Sequence, residues 1–395
     1  MFLPRNRGER AAADRLGTLA ADPNVVHPEV LLAELLSAAG FPGDARGVLE
    51  ELSAQDPSRQ DLYLAFCEMA VREKRWFDGW NLAAMGERAA PGKHWSKEFA
   101  QQVADRLRLL KAVCCEGRRD WKAAQEIYSA LRQTEKNSRD VLVGLGRTSF
   151  HLGDAQAAIE HFTSLRQVNP AAEPPYLLLA QLYDSTGQAK AAEAAYRQAV
   201  KSADGAEQGQ SRLSFARWLV FNNRPQDAVQ VLAEPIRDSE ENETERQFLQ
   251  ALAARLEGRL LDAQKILSGL HQQNASNFVI SNQLALVLVQ NPDEAMRARA
   301  LQIASANSRN FARSSEAWAT LGWIQFRLGD RSAAEQSLAT ASQLGPFSRD
   351  TLHYLRELKQ SVGDKQAVEL LDKACAEAKG PDYFAPDKKA RPDGG

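Results

Sequence analysis

Apolar residues recur along most of this chain at helical spacing, in bursts of three to four turns separated by glycine, aspartate, asparagine or proline. The stretch Ser315 to Ser348 shows the pattern complete, with Trp318, Leu321, Gly322, Gly329, Ala334, Leu338, Ala341 and Pro346. Leu321 and Gly322 set a bulky residue beside one with no side chain on a first helix. Ala334 supplies the small residue on a second helix packed closely against it. Gly329 can adopt the left-handed conformation that ends one helix, and Asp330 can cap the next. Pro346 falls past the second helix, where a missing N–H does least harm.

The unit repeats. Leu145, Gly146, Gly153, Ala158, Phe162 and Pro170 form one copy, and Leu179, Ala180, Gly187, Ala192 and Tyr196 form the next, 34 residues on. This spacing resembles the tetratricopeptide repeat, a helix-turn-helix unit that stacks on its neighbours. The resemblance implies an all-α fold, an α-solenoid wound as a right-handed superhelix of about ten units.

Two units are expected over 26–93, the second more worn, with Gly79 in the alanine position. Phe99, Val103, Leu107, Leu110 and Cys114 then predict one long irregular helix over 94–116, a joint between subdomains. Further units follow over 117–379, near 139–172, 173–206, 209–242, 244–277, 278–314, 315–348 and 349–379. Pro235 should end its helix early, and Asn291, Pro292 and Glu294 read as a cap, first turn and reciprocal cap. Asp372 and Lys373 give the last unit the polar face of a terminal cap. At the other end, a helix over Glu9 to Ala20 within 1–25 stands in register as a half-repeat. Residues 380–395, rich in Pro, Gly and Lys, read as a disordered tail whose anchors are Tyr383 and Phe384.

Composition narrows the function. With 49 basic and 51 acidic residues there is no overall electrostatic footprint for nucleic acid. No apolar run is long enough for membrane insertion, and Phe2 and Leu3 are cut off by Pro4 and Arg5 before they make a secretory signal. Cys67, Cys114, Cys115 and Cys375 lack metal-ligand spacing and read as small core residues in a reducing, cytoplasmic setting. Gly144, Gly146 and Gly153 fall on repeat positions, and no phosphate loop accompanies them. His151 and His161 have no helix-spaced partner that would make a metal site. The sequon matches at Asn242 and Asn274 are short enough to be accidental. No local catalytic signature occurs, so no enzyme and no cofactor are expected.

The resemblance further implies a concave groove lined by first helices, reached from the second, fifth, ninth, twelfth and thirteenth positions of each unit. Those positions hold Arg147, Phe150 and His151, then Gln181 and Asp184, then Arg217 and Phe221. Further on come Phe248 and Arg255, Asn282 and Gln290, and Trp323, Phe326 and Arg327. Amide, guanidinium and aromatic side chains together are what recognition of a peptide uses. The aromatics Phe150, Phe248 and Phe326 could equally pad the stack. Val143, Arg147, Leu177 and Gln181 do not reproduce the Lys and Asn clamp by which some relatives hold a terminal carboxylate. The expected function is a non-enzymatic scaffold binding a peptide or protein segment. The alternative is a regulatory or targeting module of a larger enzyme or of a secretion or envelope assembly. Homo-oligomers through the exposed end helices are a further expectation.

Overall fold

The computed structural model describes residues 24–203, 205–236 and 239–384. The helix expected over Glu9 to Ala20 and residues 385–395 lie outside the described residues. Within them the chain is all-α, an α-solenoid of twenty helices with no strand, the one β-type contact being an isolated bridge between Arg59 and Ala90. The chain divides into two compact units, Met1–Ala195 and Tyr196–Gly395.

Unit 1 contains α1 (Pro28–Ala38), α2 (Pro42–Gln55), α3 (Gln60–Arg72), α4 (Trp76–Gly86), α5 (Lys97–Gly117), α6 (Trp121–Thr134), α7 (Arg139–His151), α8 (Ala155–Val168) and α9 (Pro175–Ser185). Each helix packs on the next, and the first helices of successive units, α1, α3, α5, α7 and α9, also touch in series. The reason lies in the small-residue positions. A Cβ on Gly146 would collide with the Phe162 ring, and one on Gly144 with the Tyr128 ring, so the two glycines let those rings sit fully buried against a bare backbone.

The long helix is α5, with Ser96 Oγ accepting from the Phe99 N–H as its cap. It is not where the chain divides; that boundary falls inside α10 (Ala189–Ser202). Val103, Leu107 and Leu110 of α5 bury against Cys67 and Ala83, and Ala112 and Cys115 against Tyr128 and Leu145, so its extra turns carry the core onward. Cys67, Cys114 and Cys115 are buried and Cys375 is half-buried, all as free thiols.

Unit 2 contains α11 (Gly205–Phe221), α12 (Pro225–Val231), α13 (Glu240–Leu256), α14 (Leu260–Gln273), α15 (Phe278–Leu288), α16 (Glu294–Asn310), α17 (Ser315–Arg327), α18 (Arg331–Leu344), α19 (Arg349–Ser361) and α20 (Lys365–Glu377). Gly322 of α17 receives Leu338 of α18; a Cβ there would stand 2.7 Å from Leu338 Cγ. The intervening turn has Gly329 at φ 89°, and Asp330 Oδ1 accepts from the Ala333 N–H at 3.0 Å. The same aspartate cap recurs at Asp120, Asp154 and Asp364. Helix α12 stops at Val231, short of Pro235. At α16 the cap is Asp293 rather than Asn291: Asp293 Oδ1 accepts from Ala295 and Met296 N–H, while Asn291 supports the Asp293 N–H at 2.9 Å. A carboxylate one residue past Pro292 therefore outcompetes the amide before it. Helix α20 buries no residue fully, and Leu370 is exposed.

Candidate functional site

In unit 2 the first helices α13, α15, α17 and α19 present stripes at helical spacing to one cleft of about 290 Å³. Phe248 and Leu252, then Gln283 and Leu286, then Glu316 and Thr320, then Asp350 and Tyr354 line it together with Phe221, and Gly380, Pro381 and Tyr383 of the segment after α20 form its remaining wall.

Arg255 stands beside the lining residues Gln283 and Asp350, its side chain 1 % exposed. It donates from Nη1 to Gln283 Oε1 at 2.6 Å, and its Nη2 is 3.4 Å from Asp350 Oδ2. Its guanidinium lies 3.7 Å from the centroid of the Tyr383 ring. Burial pushes the Asp350 carboxyl above the usual range, and the Arg255 charge pulls it back. Glu316, which accepts from Asn282 Nδ2 at 3.2 Å, is also raised, by burial first and then by the charge of Asp350. Burial lowers the His353 pKa below its ordinary value, so the imidazole is neutral at pH 7.

Trp323 forms the aromatic wall. It stacks on Tyr354 at 4.7 Å and 13°, and lies 5.8 Å from the Phe326 ring. Arg327 sits over its outer face at 5.4 Å.

Across this face runs the segment after α20. Gly380 C=O accepts from Asn223 Nδ2 at 3.2 Å, and Asp382 N–H donates to Asn223 Oδ1, so one amide clamps two backbone groups. Arg349 Nη2 is 2.7 Å from Asp382 Oδ2. Tyr383 covers Arg255, and Phe384 stacks on His353 at 4.0 Å and 8° with its edge toward Trp323. Residues 380–384, expected as the start of a loose tail, thus lie against the face of unit 2.

The structure gathers Phe221, Arg255, Asn282, Trp323, Phe326 and Arg327 around or beside this cleft. Arg217 stays on the surface in an ion pair with Glu245. In unit 1, Arg147 pairs with Glu116 at 2.9 Å, and the same carboxylate accepts from the Tyr128 hydroxyl. His151 stacks on Trp121 at 3.7 Å, Phe150 meets Tyr183 edge-on, Gln181 donates to Glu173 at 2.8 Å, and Asp184 is exposed. Glu316 and Asp350 occupy second positions counted from Ser315 and Arg349, so the positional rule reaches them. Asn223 lies in a turn, where no such rule applies. Among the described residues no group of His, Cys, Asp and Glu side chains could hold a metal ion, and no helix is long and apolar enough to cross a membrane.

The model of the tetratricopeptide repeat family matches residues 149–213, from the end of α7 into α11. No curated protein matches. Solved structures similar to this chain include a tetratricopeptide repeat protein from Parabacteroides merdae, 11% identical, covering 79% of this chain and 98% of that one, with a TM-score of 0.36. The hetero-tetramer Cut9–Hcn1 of the APC/C is 12% identical over 94% of this chain and 76% of that one, at 0.37. Naa15/Naa10 bound to HypK-THB is 14% identical over 88% of this chain and 50% of that one, at 0.33.

Proposed function

Because this chain is a tetratricopeptide repeat protein, we propose that it serves as a non-enzymatic scaffold that binds an extended protein segment along the first helices of its repeats. The observation that carries this reading is the chemistry of the unit 2 face. An amide that pairs with backbone groups, guanidinium groups that pair with carboxylates, and stacked aromatics converge on one cleft, the set an extended peptide requires. Repeats suit this task because each unit contributes one stripe to a continuous surface, and a ligand can be read by several units at once.

Site-specific photo-crosslinking tests it. With p-benzoylphenylalanine in place of Gln181 or Arg327 on first helices, proteins of the source organism should be captured. The same probe in place of Leu261, 76% exposed on a second helix, should capture far less. Equal or greater capture at Leu261 would overturn the assignment of the binding face.

A further inference from the structure

We infer that the first-helix face of unit 2 is a site for a segment with an acidic residue followed by two aromatics, and that its resident occupant is the chain's own Gly380–Phe384, which walls the cleft. This inference rests on the scaffold reading above and names the ligand class and its control.

Each element of the segment meets a dedicated group. The backbone on either side of Pro381 is held by both ends of the Asn223 amide, which fixes the register of the chain without reading a side chain. The carboxylate of Asp382 is read by Arg349 at 2.7 Å. Tyr383 lies over the buried guanidinium of Arg255 at 3.7 Å, and Phe384 stacks on His353 and meets Trp323 at 76°. The clamp is also built at a conformational cost. Asn223 holds φ 58°, in a turn where Gly153, Gly187, Gly258 and Gly329 serve elsewhere and where Lys74 and Arg119 take the same conformation. Glycine would relieve the backbone but could not hold Gly380 and Asp382.

The occupant is covalently tethered. Only Ala378 and Lys379 separate α20 from Gly380, so the segment faces its site at an effective concentration on the order of millimolar. An external segment of the same chemistry at micromolar concentration therefore competes against its internal copy and binds only when that copy lets go.

The test uses a fluorescent peptide copying residues 378–384, titrated by anisotropy. The full chain should bind it at least tenfold more weakly than a full-length variant carrying Asp382→Lys, Tyr383→Ser and Phe384→Ser. Adding Asn223→Gly to that variant should cost about tenfold again, although the turn itself is relieved. A peptide with both aromatics changed to serine should not bind. Equal affinity for the full chain and the opened variant would overturn the resident occupant, and binding to neither would overturn the site. Both outcomes leave crosslinking at Gln181 and Arg327 intact, so they are separable from failure of the scaffold reading. Should the triple variant not fold, Asn223→Gly alone must speed hydrogen exchange at the Asp382 amide, because the resident segment loses its clamp; unchanged exchange sinks the clamp. A dimer by light scattering that the triple variant abolishes would place the segment in a second copy and overturn the internal arrangement.

Discussion

The first-helix faces of the two units are built from the same repeat positions yet do different things with their polar residues. In unit 1, Arg147, His151 and Gln181 pair with neighbours less than one repeat away in sequence, namely Glu116, Trp121 and Glu173. In unit 2, Arg255, Asp350, His353 and Trp323 surround a stretch of chain that arrives from the far end of the sequence. A polar residue at a groove position is thus not a recognition residue by address alone. It becomes one where the stack leaves it a partner to seek.

The comparison can be broken most severely at Arg255. Arg255→Met leaves Asp350 as a buried charge without its cation and should destabilise unit 2 by about 3–5 kcal/mol at neutral pH. Because burial already raises the Asp350 carboxyl, the loss should shrink as pH falls and that group takes up a proton. Urea unfolding at pH 7 and pH 5 checks both parts. A similar loss at both pH values would deny the ion pair its role.

Overpacking comes next. Gly322→Leu drives a side chain into Leu338, and Gly146→Leu into the Phe162 ring, each costing about 1–3 kcal/mol or more. Contacts in a repeat stack are local, so hydrogen exchange should quicken in α17–α18 for the first and in α7–α8 for the second. Uniform loss of protection across both units would contradict a stack of near-neighbour contacts.

Glu116→Gln sharpens the unit 1 side. It removes the carboxylate shared by Arg147 and Tyr128, and since Arg147 can reach water the cost should be about 1 kcal/mol. Peptide binding to the opened unit 2 variant should not change. A change in binding would show that Glu116 acts beyond its own pair with Arg147 and Tyr128.

The smallest effect concerns pH. Glu316 holds its proton more tightly folded than unfolded, so it favours the fold while protonated and this advantage is lost as pH rises from about 4.5 through the raised value. Glu316→Gln should flatten that part of the Tm profile; an unchanged slope would place the titration elsewhere.

Much of the architecture was legible in the residues. Gly146 with Phe162 and Gly322 with Leu338 declare which helices pair, and Asp154 and Asp330 declare where the second ones begin, because those contacts lie within one repeat. Part of the surroundings of the cleft was on groove positions too: Arg255, Asn282 and Trp323 each touch a residue that lines it, namely Asp350, Glu316 and Tyr354. The cap at Asp293 was misplaced by two residues because Asn291 and Asp293 both suit the role, and only the geometry around Pro292 separates them.

What sequence alone determined here is the stack: its unit, its pairing rule and its turns, all written in residues less than a repeat apart. What tertiary structure decided is where the tail goes. The Asn223 amide and the Gly380 carbonyl are 157 residues apart, and no local spacing connects them. Their meeting depends on how the helices between them accumulate rotation and bring the end of α11 beside the start of α19, a sum over many packing angles that no single repeat contains.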